Sequence, residues 1–329
     1  MTGEDAVEPT RNRPARPSLL ERAAGHFAIP ARDAPRPVPV DPAVAEPVTP
    51  SPAVPAPPVA EPVTAPVPDP VARPRKAPMP SARIRPADIA TIDRDALAER
   101  GMLVPGGPVN SLAEEFRLVK RQLLATAERV AWRDAGASRL ILICSAQPGD
   151  GKTFCSINLA LSLAAERDMA VLLIDADFHK PEVLDRMGVK PGRGLLDALA
   201  DPTIDPETLV IVTDVPQLSL LPAGSRSHDD TELLRSERAR AVLDRLLESD
   251  PDRIILFDSP PALAASSASV LAALVGQTVL VVRADRSSEV DVREAVALLD
   301  GCEEIQLLLN ATTYRTQGAR FGYYGLDRE

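Results

Sequence analysis

Cysteine and histidine are too few and too scattered in this sequence to build a metal site. The chain has three of each among its 329 residues: Cys144, Cys155, Cys302, His26, His179 and His228. No cysteines form a CxxC pair, and no histidine stands at ligand spacing from a cysteine, which argues against a zinc site. An odd, scattered set of thiols is typical of a reducing compartment such as the cytosol.

Excess positive charge and a membrane-length apolar run are missing as well. The net charge is -10 and the pI is about 5.0, so we expect no nucleic-acid partner, because such partners require a basic surface. The longest uncharged run of the body, 259–282, contains two prolines and four serines. It predicts a buried helix, a turn and a strand rather than a membrane span.

Residues 1–16 lack the apolar core of a signal peptide, so we expect a soluble chain.

Proline is concentrated at one end of the chain, with 22 of the 34 prolines before residue 87. The sequence Ala-Glu-Pro-Val-Thr occurs at 45–49 and again at 60–64. Such a composition cannot bury enough apolar surface to offset chain entropy, so we predict that 1–86 is disordered and extended. Within it, 18–27 places its apolar residues on one helical face. This island is either a docking helix for a partner or a transient helix, since so short a helix is marginal alone.

Tyrosine is absent from the body of the chain. The three tyrosines, Tyr314, Tyr323 and Tyr324, all lie in the C-terminal segment 313–329. This segment contains glycines and has no periodic apolar pattern, which predicts a flexible tail. A cluster of exposed tyrosines is typical of a phosphorylation substrate, although a C-terminal packing segment is the alternative.

Regular alternation of apolar runs and helical patterns begins after a predicted linker, 87–110. A capping box of Ser111 and Glu114 predicts a helix over 112–130. The predicted strands cover 140–144, 170–174, 218–221, 253–257, 278–283 and 305–310, and the predicted helices between them cover 152–165, 195–200, 231–248, 263–274 and 288–299. This order indicates βαβ units, and hence an α/β domain over 111–312 with a mostly parallel sheet and helices on both faces.

The first motif with chemical meaning is the segment 145–153, Ser-Ala-Gln-Pro-Gly-Asp-Gly-Lys-Thr. It follows a predicted strand and opens a predicted helix, which is the context of a phosphate-binding loop. Backbone N–H groups and the helix N-terminus would bind the phosphates of ATP, Lys152 would reach the β- and γ-phosphates, and Thr153 would ligate Mg²⁺. The predicted nucleotide-binding residues are Gln147, Pro148, Gly149, Asp150, Gly151, Lys152, Thr153 and Phe154.

Carboxylates follow two other predicted strands. Asp175 and Asp177 end the strand at 170–174, and Asp258 ends the strand at 253–257. Ligand sites of parallel α/β sheets lie at this edge, so we expect the three acids near the phosphate loop. Each alone could be a helix cap or a turn residue. Together they predict catalytic roles for Lys152 and the three acids, and a magnesium site of Thr153, Asp175 and Asp258.

Helical spacing places Glu114, Arg117 and Lys120 on one face of the helix at 112–130. Spacing alone would favour a solvated charged face. With the loop, the acids and the tail, however, the chain resembles the bacterial P-loop tyrosine kinases of polysaccharide export. The loop resembles their Walker A motif of the deviant type, 172–177 their Walker A′, and 254–258 their Walker B. Glu114, Arg117 and Lys120 resemble their Glu-x-x-Arg-x-x-Arg oligomerisation motif, with lysine in the last place.

Three segments resemble one branch of that family, the stand-alone tyrosine autokinases found with exosortase systems. These segments are 115–124, 257–261 and 18–22. The resemblance implies a P-loop NTPase fold, Mg²⁺ and ATP as cofactors, and autophosphorylation of the tail tyrosines. It also implies a ring-like homo-oligomer, a membrane chain-length-determinant partner that recruits the cytoplasmic kinase to the membrane, and a phosphotyrosine phosphatase. His179 and Lys180 stand where the family often has arginine.

Two other functions remain open at this point. Partition and cell-division ATPases share the fold and hydrolyse ATP to switch dimerisation, but their loop has an early signature lysine where Gln147 stands. A nucleotide-binding scaffold with vestigial catalysis is the second alternative, and the complete set of Lys152, Thr153 and the three aspartates argues against it.

Overall fold

The computed structural model describes residues 89–227 and 229–312. The predicted N-terminal disorder, the island 18–27, His228 and the three tyrosines lie outside this part. In chain order the elements are α1 Arg94–Glu99, α2 Ser111–Ala131, β1 Leu140–Ser145, α3 Lys152–Ala164, β2 Ala170–Asp175, α4 Val183–Arg186, α5 Leu195–Ala200, β3 Ile211–Val212, β4 Leu218–Leu221, α6 Asp230–Arg235, α7 Glu237–Ser249, β5 Arg253–Asp258, α8 Ser267–Ala272, β6 Gln277–Arg283, α9 Glu289–Leu298 and β7 Ile305–Asn310.

The strands form one seven-stranded sheet in the order β3-β4-β2-β5-β1-β6-β7. Every neighbouring pair is parallel except β3 and β4. The interior strand β1 is buried along its whole length, which explains its continuous apolar run, because helices cover both faces of the sheet. One hydrophobic cluster lies on each face of the sheet. The structure therefore confirms the predicted α/β class with a mostly parallel sheet.

Three predicted helices differ from the structure in their boundaries or caps, and the one predicted over 263–274 is the shorter α8, Ser267–Ala272. The cap of α2 is Asn110, whose side chain accepts a hydrogen bond from the N–H of Ala113, so the capping box predicted at Ser111 is wrong. The single helix predicted over 231–248 is two helices, α6 and α7, separated by Ser236. The backbone of Ser236 is extended, and its hydroxyl donates to the carbonyl of Leu233 at 2.6 Å. A serine hydroxyl that binds a nearby carbonyl competes with helix continuation.

The segment expected as a linker, 87–110, packs on the domain where it is described. The N–H of Ala90 donates to the carbonyl of Val212 at 2.9 Å, which ties the segment to β3. Ile92, Leu97 and Met102 are buried in one of the two apolar clusters. The sequence shows no long period here, because a six-residue helix and single anchor residues carry the packing. Within 89–227 and 229–312, no helix is both long and apolar enough to cross a membrane.

Candidate active site

The phosphate loop connects β1 to α3 at the carboxyl edge of the sheet. Gly149 and Gly151 have φ values of 88° and 101°, a backbone conformation that strongly favours glycine. The loop is braced internally, because the N–H of Gln147 donates to Oδ2 of Asp150 at 3.0 Å. Pro148 has no N–H, and that of Gln147 is engaged. The N–H groups that remain for a phosphate chain therefore begin at Gly149.

Phe154, predicted as a nucleotide-binding residue, directs its side chain into the apolar packing of the domain. Its ring is tilted against that of Phe116 on α2, with the ring centroids 6.3 Å apart. Its side chain packs against the apolar cluster on that face. Phe154 can therefore contribute only its backbone N–H to a bound phosphate, whereas the ring anchors α3 to α2.

The chemically important side chains of the loop meet the strand-end carboxylates directly. Nζ of Lys152 lies 2.7 Å from Oδ2 of Asp177. The hydroxyl of Thr153 donates to Oδ2 of Asp258 at 2.7 Å. Ser156, one turn further along α3, donates to Oδ1 of the same carboxylate at 2.9 Å. Sequence reasoning missed Ser156, whose signal is its position three residues after Thr153 on the same face of the helix.

Asp175 is almost fully buried, as is Asp258, and its carboxylate is held by the backbone. Its two carboxylate oxygens accept hydrogen bonds from the N–H groups of Asp177, at 3.3 Å, and Val183, at 3.0 Å. The residue is paired in register with Asp258 across β2 and β5. Burial, followed by the charge of Asp258, raises the pKa of Asp175 to about 8.

The cluster carries more negative than positive charge. Burial raises the pKa of Asp258 above its usual range, although Lys152 opposes that shift. Burial also lowers the pKa of the Lys152 amine, but Asp258 and Asp177 outweigh this effect and leave the pKa raised. Three buried carboxylates facing one amine suit a divalent cation, which would relieve their mutual repulsion. The donor set therefore fits Mg²⁺, with Thr153, Asp175 and Asp258 as the residues that would hold it.

Two further side chains reach the loop from the ends of neighbouring strands. Arg283, at the end of β6, donates from Nη1 to the carbonyl of Gly149 at 3.1 Å. Asn310, at the end of β7, donates from Nδ2 to the carbonyl of Asp150 at 2.9 Å. Sequence reasoning missed both residues. Their signal was their position at the carboxyl ends of parallel strands, where ligand sites lie.

The three residues of the predicted oligomerisation motif have different environments. Arg117 forms an ion pair with Glu114 on an exposed part of α2. Lys120 is buried, with Nζ 3.0 Å from the carbonyl of Ser162 and 2.5 Å from Oε1 of Glu166. Lys120 thus connects α2 to α3 within the chain. The structure brings Glu114 and Arg117 together and places the Lys120 amine away from them.

Comparisons with known proteins agree with this geometry. Residues 138–306, just over half of the chain, match the family model described as AAA domain. The chain is 36% identical over 207 residues to the putative tyrosine-protein kinase EpsB of Ralstonia solanacearum, covering 61% of this chain and 27% of EpsB. It is 25% identical to the tyrosine-protein kinase YwqD of Bacillus subtilis (strain 168), covering 71% of this chain and 94% of YwqD.

Among solved structures, the BceF tyrosine kinase domain superposes with a TM-score of 0.51 at 30% identity, covering 59% of this chain and 76% of that domain. The chain spans about a quarter of the length of EpsB, so EpsB as a whole protein contains much that has no counterpart here. The resemblance to the bacterial P-loop tyrosine kinases is confirmed, whereas the resemblance to the branch found with exosortase systems stays a prediction. The chain belongs to the AAA domain family and, within it, to the bacterial P-loop tyrosine kinases.

Proposed function

We propose that this chain is a protein-tyrosine kinase that uses Mg²⁺ and ATP to phosphorylate its own tyrosines. The observation that carries the proposal is the 2.7 Å pair of Lys152 and Asp177. It places a carboxylate beside the amine that would bind the γ-phosphate. A tyrosine hydroxyl that attacks this phosphate needs an acceptor for its proton at that place. The names of the similar proteins support the same activity.

In the proposed mechanism, Lys152, Thr153 and Asp258 hold the magnesium-bound nucleotide, and Asp177 orients and deprotonates the tyrosine. Asp177 is favoured over Asp175 for a geometric reason. Both oxygens of Asp175 accept backbone hydrogen bonds, whereas Oδ2 of Asp177 becomes free when Lys152 turns to a phosphate. Proton transfer comes late in a loose transition state, so orientation of the hydroxyl is the larger part of this role.

The biological setting of the proposal follows the family. The kinase regulates polymerisation or export of an exopolysaccharide and works at the inner face of the membrane, where a chain-length-determinant protein recruits it from the cytoplasm. A phosphotyrosine phosphatase reverses the modification, and nucleic acid has no part in it, in keeping with the net charge of -10. The closest alternatives are a dimerisation switch of the partition-ATPase type and a catalytically weak scaffold. ATP turnover without phosphotyrosine would support the former, and neither activity would support the latter.

Phosphotyrosine mapping tests the activity. Incubation of the full chain with Mg·ATP and the partner's cytoplasmic fragment should place phosphate on Tyr314, Tyr323 or Tyr324, as detected by mass spectrometry. A variant with all three tyrosines changed to phenylalanine should still bind ATP, because no tyrosine is a residue of the loop or of the acid cluster, but it should form no phosphotyrosine. Phosphate on serine or threonine alone, or none in the presence of the fragment, would contradict the proposal.

Assembly is proposed to depend on the exposed part of α2. Arg117→Ala is expected to lower the assembly mass in static light scattering without a change in the unfolding midpoint, because the ion pair with Glu114 is exposed. Lys120→Ala should instead lower the free energy of unfolding by about 1–3 kcal/mol, since it leaves the Ser162 carbonyl without this donor. An Arg117→Ala chain of unchanged mass would argue against assembly through this surface.

A further inference from the structure

The phosphate loop is held from outside by two side chains that the proposed mechanism does not use. Arg283 donates to the carbonyl of Gly149 at 3.1 Å, and Asn310 donates to the carbonyl of Asp150 at 2.9 Å. The strand ends that carry them are joined in turn, because the N–H of Ala284 donates to the carbonyl of Asn310 at 3.0 Å. Two consecutive carbonyls of the loop are therefore fixed by β6 and β7. We call Arg283 and Asn310 the loop clamp.

Peptide geometry links these carbonyls to the groups that face a phosphate. In a planar trans peptide, the C=O and the N–H that follows it point in opposite directions. Holding the Gly149 carbonyl towards Arg283 turns the N–H of Asp150 the other way, and holding the Asp150 carbonyl does the same for the N–H of Gly151. N–H groups of such a loop are the donors that bind phosphate oxygens.

The contact with Asn310 is close enough to restrict the sequence of the loop. A Cβ added at Gly151 would lie 2.1 Å from Nδ2 of Asn310, so the amide occupies the space that a side chain would need. The guanidinium of Arg283 is oriented by a second bond, from Nε to Oδ1 of Asp285 at 2.9 Å. The Arg283 donor is therefore oriented by Asp285 and the Asn310 amide is packed against the loop before a ligand arrives, an arrangement that favours preorganisation.

We infer that Arg283 and Asn310 are positioning residues that aim the loop N–H groups at the phosphate chain of the nucleotide, whatever base that nucleotide carries. This inference rests on the proposed function only in that the loop binds nucleotide phosphates. This role differs from that of a residue that contacts the base or the ribose. Loss of such a residue would lower the affinity for ATP and leave the affinity for a bare phosphate chain unchanged.

Titration calorimetry of the full chain with Mg·ATP and with Mg·tripolyphosphate makes this distinction. Asn310→Leu keeps the approximate size and the neutrality of the side chain and removes its donor, and Arg283→Ala removes the other donor. Each change is expected to lower the affinity for Mg·ATP and for Mg·tripolyphosphate about tenfold and by the same factor. The reason is that one loop carbonyl loses its hydrogen bond in each variant, so the N–H group that follows it is no longer held towards the phosphates. Arg283→Lys retains a donor and should recover much of the loss. The matched controls are Arg293→Ala and Thr312→Ala, which remove exposed side chains on α9 and after β7.

Two outcomes would overturn the inference. A variant that binds ATP more weakly but tripolyphosphate normally would place that residue on the base or the ribose, and unchanged affinity for both ligands would show that the loop needs no clamp. Thermal unfolding of each nucleotide-free variant checks the fold, and Asn310→Ala supplies a second variant if the leucine unfolds the chain. If the wild-type chain bound both ligands but formed no phosphotyrosine, the proposed kinase activity would be wrong and the inference about the clamp would stand.

Discussion

Changing Lys152 to methionine is expected to reduce phosphotyrosine formation by at least about a thousandfold, because the amine is the positive charge that faces the transferred phosphate in a water-poor site. Its Nζ already lies within 2.7 Å of Asp177, and only 13% of its side chain is exposed. Methionine retains the length of the side chain and removes the charge. The measurement is the initial rate of phosphotyrosine formation, followed by quantitative mass spectrometry.

Lys190→Met is the matched control for this change, because Lys190 is an exposed lysine outside the acid cluster. It should retain the wild-type rate. Since Lys152→Met also leaves Asp177 without its cation, the unfolding midpoint and the secondary structure of the variant must be recorded beside its activity. A folded Lys152→Met chain that still phosphorylates its tyrosines would exclude this loop as the catalytic site.

Asp177→Asn is expected to lower kcat by about 10²–10⁴-fold, the range for loss of a positioned proton acceptor. Affinity for ATP should be retained or increased, since the amide no longer competes for Lys152. The amide can still accept the hydrogen bond that the N–H of Lys180 donates to Oδ1 at 3.1 Å, so the local turn should persist. Single-turnover kinetics with saturating Mg·ATP separate the two effects.

Asp185→Asn serves as the control for loss of an exposed carboxylate and should leave both kcat and affinity unchanged. If the Asp177→Asn chain kept the wild-type kcat, Asp175 would have to be the proton acceptor. That result would conflict with the hydrogen bonds that both oxygens of Asp175 accept from the backbone, and the mechanism would need a different alignment of the tyrosine.

The sequence predicted the parts of the fold that depend on local pattern. Continuous apolar runs located β1, β2 and β5 within about a residue, because strands buried on both faces need no polar positions. Glycines and a lysine between a strand and a helix located the phosphate loop for a similar reason, since that backbone conformation favours glycine. These features are local in the chain and independent of the order of strands in the sheet.

What the sequence could not show depends on contacts between distant segments. Arg283 and Asn310 contact the loop only because β6 and β7 follow β1 in the sheet, and no local pattern gives that order. Lys120 has the spacing of an exposed charged face, but its stem is covered and its amine binds α3. The segment before α2 lacks a long period, yet Ile92 and Leu97 are buried by tertiary packing.

The pair of Lys152 and Asp177 also bears on the departure of product. Asp177 is part of the chain, so it acts as an internal competitor for Lys152 at a high effective concentration that dilution cannot lower. A nucleotide must displace this carboxylate on arrival, and the carboxylate can recapture the amine once the γ-phosphate has been transferred. ADP should therefore leave the wild-type chain faster than it leaves Asp177→Asn, as stopped-flow dissociation of a fluorescent ADP would record. Equal dissociation rates would exclude this exchange and confine Asp177 to the chemical step.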